Sequence, residues 1–238
     1  MVDYESFYQC IDYDRLDPAP EVAWTSELRQ TCAERWARLR KGKTGPRCPD
    51  WVFLQYLVEH EGLLLHGSQD PGIVAFEPRV AGNAFEDGRT SRVYASSSCQ
   101  LAYWYAIVDR EKLKQVCGAV KFGMIYAPVH PQTMVKGPRH FFHLSHVAFP
   151  HRPFRPGVVY ILPRQPFSPE YLELQWYAEK SVAPLASVTV SPADWPMLPC
   201  VHALNWDLLP KDPRCKIPRF DTPEAFPAIG VMTWSRDE

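Results

Sequence analysis

Leu63-Leu64-Leu65-His66-Gly67-Ser68 and Arg92-Val93-Tyr94-Ala95-Ser96 are the two strings on which the reading of this chain turns. In each, an apolar run too short for a helix ends in small polar residues, the pattern of a strand closing at a corner. The second string feeds a helix-like segment from Gln100 to Lys112. Two such strand ends side by side make a notch in which one imidazole and one phenol face each other. That notch suits a flat, amide-bearing ring.

Upstream, residues 1–24 show no period and read as an arm or a short packed lead-in. Leu28, Cys32, Trp36 and Leu39 recur at helical spacing and predict a helix over Ser26–Arg40. Its end is basic (Arg35, Arg38, Arg40, Lys41, Lys43, Arg47), and Gly42 and Gly45 stop it. Such cations suit a helix C-terminus and a solvated loop, or a contact for a nucleic acid or an acidic partner. Asp50 is the expected N-cap of a second short helix over Trp51–His60, with Trp51, Leu54 and Leu57/Val58 inward. Glu61-Gly62 breaks it before the first string.

Downstream of Gly72–Phe76, a short strand or turn, Arg79–Ser91 is a polar, glycine-containing loop. Leu101–Lys112 is expected to be one helix with Leu101, Tyr105 and Val108 on one face. Cys117–Ala127 reads as a strand pair or one long strand, and Pro128–Pro156 as a proline- and histidine-rich insertion. Gly157–Leu162 lacks alternation and predicts a strand buried on both faces. Tyr171–Tyr177 and Pro184–Val190 predict two more strands, and Ile229–Trp234 a last edge strand. No internal repeat is visible.

The bulk numbers exclude several classes. With 26 basic and 27 acidic residues among 238, no global field advertises nucleic acid or membrane. No apolar run approaches the roughly 20 residues of a membrane helix, and the acidic start is not that of a signal peptide. Seven cysteines (10, 32, 48, 99, 117, 200, 215) form no C-x-x-C pair, which argues against structural zinc and a disulfide framework. The expectation is a reduced, cytoplasmic protein. The 24 prolines gather in Pro128–Pro169 and Pro192–Pro227 and predict long ordered loops on a strand-rich core.

His66-Gly67, then Tyr94-Ala95-Ser96, then a helix: in this order the strings resemble the ADP-ribosyltransferase superfamily, in its His–Tyr–Glu branch of poly(ADP-ribose) polymerases and diphtheria-like toxins. The resemblance implies an α+β fold, with two small sheets packed face to face around an NAD cleft and helices flanking. It implies that His66 bonds a ribose hydroxyl of NAD and that Gly67 lets the backbone approach the nicotinamide amide, which a side chain would block. Ser68 fits the frequent His-Gly-Ser/Thr form. Tyr94 would stack on the nicotinamide, and Tyr105 stands where polymerase-branch members carry a second stacking tyrosine. The serine that bonds the amide in those members is Ala102 here, so Ser96 or Ser98 would serve instead. The Arg79–Ser91 loop could close over the dinucleotide.

The third element of the branch is a strand carboxylate, which stabilises the oxocarbenium character of the breaking nicotinamide–ribose bond. The stretch Tyr171-Leu172-Glu173-Leu174-Gln175-Trp176-Tyr177 is the candidate. Bacterial members put glutamate directly before the tryptophan, where Gln175 stands. Glu173 lies two residues earlier, on the same side of a strand. Either Glu173 is the catalytic carboxylate, or Gln175 occupies the site and polar contact replaces charge. Glu179 reads as a strand-end charge.

His140, His143, His146 and His151 do not make a metal site, because His143 and His146 would point to opposite faces with no carboxylate or cysteine nearby. With Arg139 they are expected to line a target-binding surface, and their abundance keeps the superfamily's RNA 2′-phosphotransferase branch in view. The expected organisation is an N-terminal helical segment (1–60), a catalytic core (61–195, with the insertion 128–156) and a proline-rich extension (196–238). The expected function is mono-ADP-ribosyl transfer from NAD, as co-substrate and without a metal, to a protein or nucleic acid, releasing nicotinamide. The alternatives are an NAD glycohydrolase, a phosphotransferase on RNA ends, and a module that binds NAD without using it. The chain is not expected to engage a membrane.

Overall fold

The computed structural model describes residues 16–80, 91–120, 122–129, 136–170 and 174–204. Of the expected closing loop Arg79–Ser91, the ends Arg79, Val80 and Ser91 are strand residues instead, and residues 81–90 lie outside the described ones, as do Glu173 and the edge strand Ile229–Trp234. In chain order the elements are β1 (Asp17–Pro18), α1 (Ser26–Leu39), α2 (Asp50–Glu59), β2 (Leu64–Ser68), β3 (Arg79–Val80), β4 (Ser91–Ser96), α3 (Cys99–Ile107) and α4 (Arg110–Cys117). There follow β5 (Phe122–Val129), β6 (Lys136–Ser145), β7 (Gly157–Leu162), β8 (Ser168–Glu170), β9 (Gln175–Ala178), β10 (Ala186–Val190) and β11 (Val201–Leu204). The fold is mixed α+β with largely antiparallel sheets, and no helix of the described residues is long and apolar enough to cross a membrane. The described residues divide into two compact units, one within 21–108 and 154–196, the other within 16–20, 109–153 and 197–204.

The first unit is built on a sheet ordered β10-β7-β2-β4-β9-β8, every neighbour antiparallel, with β3 added beside β4. Every residue of β7 is buried, as its unbroken apolar run predicts. One face of the sheet carries an apolar cluster that includes Leu64, Phe76, Val93, Ala95, Tyr160 and Trp176. Against β2 and β7 lies α3, buried at every residue but Tyr105. Two glycines permit that approach: a Cβ on Gly67 would sit 1.9 Å from the Ala102 carbonyl oxygen, and one on Gly157 1.9 Å from that of Ala106.

Three local expectations are corrected. The single helix over Leu101–Lys112 is broken, because Val108 is extended and Asp109 caps a new helix by accepting from Lys112 N at 3.0 Å. Tyr105 is therefore 39% exposed while Leu101 and Val108 are buried, so the three do not share one face. Asp50 is not the N-cap of α2 but its first residue, since its carboxylate is drawn to Arg35 and Pro49 takes the cap position. Val52, Phe53 and Tyr56 are buried there as well as Leu54 and Leu57. Finally, His66-Gly67-Ser68 and Tyr94-Ala95-Ser96 are not corners but lie within β2 and β4. The turns follow them, one at Asp70, whose carboxylate accepts from Gly72 N, and one at Ser98, which caps α3. By contrast α1 has the expected buried Cys32 and Trp36, capped by Thr25.

The second unit holds the other sheet, in which β6 pairs antiparallel with β1 and β5 and parallel with β11. The stretch read as an insertion thus contains a ten-residue strand. His140 and His143 are 2% and 5% exposed, and the Arg139 guanidinium donates to Leu16 O at 2.9 Å. The expectation of a target-binding surface is overturned for the two histidines: they point to opposite faces of β6 and both are buried, so the strand is covered on each side. Burial holds them neutral, pushing His140 down to about 4 and His143 down to about 3. His146 and His151 are exposed beyond the strand.

Candidate functional site

The strands that carry the candidate residues are neighbours. β4 lies between β2 and β9, so His66, Tyr94 and Gln175 come from three adjacent strands of one sheet. Their faces follow from register and alternation. Leu65 is paired with Ser96, and Ser96 with Gln175, while Tyr94 is paired with Tyr177. Leu65, Gly67, Tyr94, Ser96, Gln175 and Tyr177 therefore share the face on which α3 lies. His66 belongs to the opposite face, opposite Tyr160 and with its ring 4.4 Å from that of Phe76. The expected notch, with an imidazole facing a phenol, is corrected on this point: the His66 ring meets Tyr94 at its backbone.

That meeting marks a parting in the sheet. The paired register between β2 and β4 stops at Leu65–Ser96. Continued by one step of two residues, it would set Gly67 opposite Tyr94. Instead the His66 imidazole donates from Nδ1 to Tyr94 O at 2.6 Å, which places its proton on Nδ1, since a carbonyl only accepts. The direction of the neighbouring backbone also follows. Ile161 O accepts from Leu185 N, on the β10 side of β7. Leu65 and Gly67 are paired with Ile161 and Val159, so they turn their own N–H and C=O groups away from β7, toward β4. Gly67 thus presents one donor and one acceptor to the gap where the strands part.

The remaining candidates divide by what holds them. Ser96 Oγ donates to Leu174 O at 2.8 Å and accepts from Ser98 N at 2.9 Å, while Ser98 Oγ caps Leu101 N. Both serines expected at the amide thus have bonds within the fold. Ser68 Oγ accepts from Asp70 N and starts the turn after β2. Tyr94 is half-buried, and its phenolic oxygen is buried without a hydrogen-bond partner among the described residues. Gln175 is half-buried at the start of β9, and Glu179 is exposed beyond its end. Tyr105 is the exposed residue of α3.

Sequence reasoning missed two groups. Tyr160 donates to Asp70 O at 2.8 Å and accepts from Ile73 N at 3.0 Å, fixing the turn that follows His66-Gly67-Ser68. Arg92 sets its guanidinium 3.9 Å over the Tyr177 ring, on the face of Tyr94 and Gln175. Both partners of that stack stand two residues from a candidate already chosen, so strand period would have found them. Among the described residues no group of three His, Cys, Asp or Glu side chains is disposed to hold a metal ion. No protein-family model matches this chain, nor does any curated protein or solved structure.

Proposed function

We propose that the chain transfers one ADP-ribosyl group from NAD to a macromolecular acceptor and releases nicotinamide. The observation that carries the reading is the parting of β2 from β4 at Gly67, with backbone donor and acceptor turned into the gap and Gln175 one strand beyond. A primary amide needs such a pair of groups. In this reading Gly67 holds the nicotinamide amide, Tyr94 and Tyr105 flank the ring, and His66 sets the spacing of the two strands. The bond from ribose C1′ to the pyridinium nitrogen breaks, and nicotinamide leaves with the electron pair. The acceptor then bonds to C1′ and loses its proton. Glu173 is the carboxylate that stabilises the positive charge on the ribose.

A second reading has its own support. The residue that faces Tyr94's side of the sheet at the start of β9 is an amide, Gln175, and not a carboxylate. A site without the charge would bind NAD and leave it intact. The RNA 2′-phosphotransferase alternative keeps only His146 and His151 of its histidines at the surface, because His140 and His143 are buried and Arg139 donates to Leu16 O.

Nicotinamide release by the purified chain tests these readings. Transfer predicts release that falls on the order of 10²–10³ in Glu173→Gln and survives in part in Gln175→Ala. Free ADP-ribose as the sole product would point to water as acceptor. No release, with a melting temperature that NAD raises, would favour the binding module. Neither release nor stabilisation would overturn both.

A further inference from the structure

Between Glu34 and Asp50 the chain carries six cations (Arg35, Arg38, Arg40, Lys41, Lys43, Arg47) and no acid, in a protein of net charge −1. The structure turns this run into a built surface. Lys41 N and Lys43 N both donate to Arg38 O, Gly42 N donates to Leu39 O, and Gly42 at φ +66° sends the chain back along α1. Gly45 then lies directly on the helix, where a Cβ would stand 2.6 Å from Arg35 Cα. Arg35 fastens the segment: its guanidinium donates to Cys48 O at 2.9 Å, pairs with Asp50 and sits 4.3 Å over the Phe53 ring.

With Arg35 spent as the clamp, the other five are exposed. Arg38 makes a surface pair with Glu34 at 2.9 Å. Arg40, Lys41, Lys43 and Arg47 have no carboxylate partner among the described residues. The dipole of α1 accounts for cations in its last turn, but the effect fades within that turn and does not reach Lys43 or Arg47. Four like charges held together on a clamped backbone repel one another unless an anion joins them.

We propose that the end of α1 and the segment leading to α2 bind the phosphodiester backbone of a nucleic acid. The patch supplies guanidinium forks and ammonium groups suited to phosphate. It lacks what centres an interface with another protein, a buried aromatic or aliphatic anchor. Among the described residues the exposed large hydrophobics (Val74, Val80, Tyr105, Val120, Val147, Leu185) all lie elsewhere. The proposal is independent of the NAD reading, and its test uses no NAD.

The test is fluorescence anisotropy of a labelled duplex of about 20 base pairs titrated with the intact chain, at several salt concentrations. Four phosphate contacts predict a slope of log affinity against log salt of about −3.6, or roughly a hundredfold loss between about 50 and about 200 mM salt. Lys41→Ala with Lys43→Ala should bring the slope to about −1.8, and Lys41→Arg with Lys43→Arg should keep it near the parent value. Lys114→Ala with Lys180→Ala should change nothing. Melting temperatures of all variants should match the parent, since the side chains are exposed. The proposal is overturned by absence of binding at the lowest salt or by a slope that the Lys41/Lys43 alanine pair leaves intact. Binding to phosphatidylserine vesicles or polyglutamate in preference to the duplex also overturns it.

Discussion

Gly67→Ala is the most demanding single test of the packing that forms the candidate site. The added Cβ would stand 1.9 Å from Ala102 O, 2.7 Å from Ala106 N and 2.9 Å from Ala102 C. All three are backbone atoms of α3, so no side-chain rotation relieves the contact. Ordinary non-bonded separation is about 3.5 Å, and the helix must retreat by more than an ångström to restore it. α3 is buried at every residue but Tyr105, so that retreat opens voids along β2 and β7. Overpacking a tight core costs about 1–3 kcal/mol, and a backbone-on-backbone clash belongs at the upper end. For a chain of this size about 3 kcal/mol lowers the melting temperature by about 6–12 °C. The assay is thermal unfolding followed by circular dichroism without NAD, with Gly72→Ala as control. Its Cβ would meet only Asp70 Oδ1, at 3.5 Å, so it should stay within about 2 °C of the parent. Equal melting temperatures for the two variants would refute the close approach of α3 to β2.

Two further predictions concern hydroxyls and histidines. Tyr94 and Ser96 put hydroxyls on the same face of β4, yet their removal should act in opposite senses. Ser96→Ala strips two hydrogen bonds and should cost about 1–3 kcal/mol in urea unfolding. Tyr94→Phe removes a buried hydroxyl that has no partner among the described residues and should leave stability unchanged or slightly raised; equal losses in both would contradict the assignment. For the second unit, burial lowers His140 to about 4 and His143 to about 3, whereas unfolding returns both to about 6.5. In that window the unfolded chain binds more protons. The contribution is therefore whole above about pH 6.5 and is lost as pH falls toward the folded values, by up to about 1.4 kcal/mol per pH unit per histidine. Urea midpoints measured across the window should show this slope, and His143→Phe should remove about half of it; a flat profile would sink the argument.

What could be read in the sequence was whatever is encoded locally. The unbroken run Gly157–Leu162 admits no polar face, so its double burial follows from composition alone. The period of Cys32 and Trp36 set the inner face of α1 in the same way. The failures come from partners far along the chain or from competing caps. Asp50 is taken from its cap position by Arg35, fifteen residues earlier, and Asp109 ends one helix by starting another. The histidines of β6 looked like surface chemistry because nothing local shows that β1, β5 and β11 will surround that strand. For the site, the local pattern and the resemblance singled out the two strings, but strand adjacency is a property of the sheet. So is the face of each side chain, which changes over with a one-residue change of register.

The geometry also decides which variants can speak about chemistry. A sheet whose strands part leaves polar backbone groups to be satisfied, and at this parting His66 Nδ1–H satisfies Tyr94 O. The same imidazole packs on Phe76, which packs edge-on against Tyr160. Tyr160 in turn fixes Asp70 and Ile73 in the turn after β2. His66 is thus the keystone of β2, β4 and the turn between Ser68 and Ile73 whether or not a ligand binds there. Replacing it would remove the bond to Tyr94 O and unsettle the packing on Phe76, so a loss of activity in His66→Ala follows equally from a damaged site and from a missing ligand contact. Gln175 stands in a different position, half-buried at a strand start, on the face away from that packing. A change in nicotinamide release on Gln175→Ala at an unaltered melting temperature therefore reports on the reaction, and a change that tracks the melting temperature reports on the sheet.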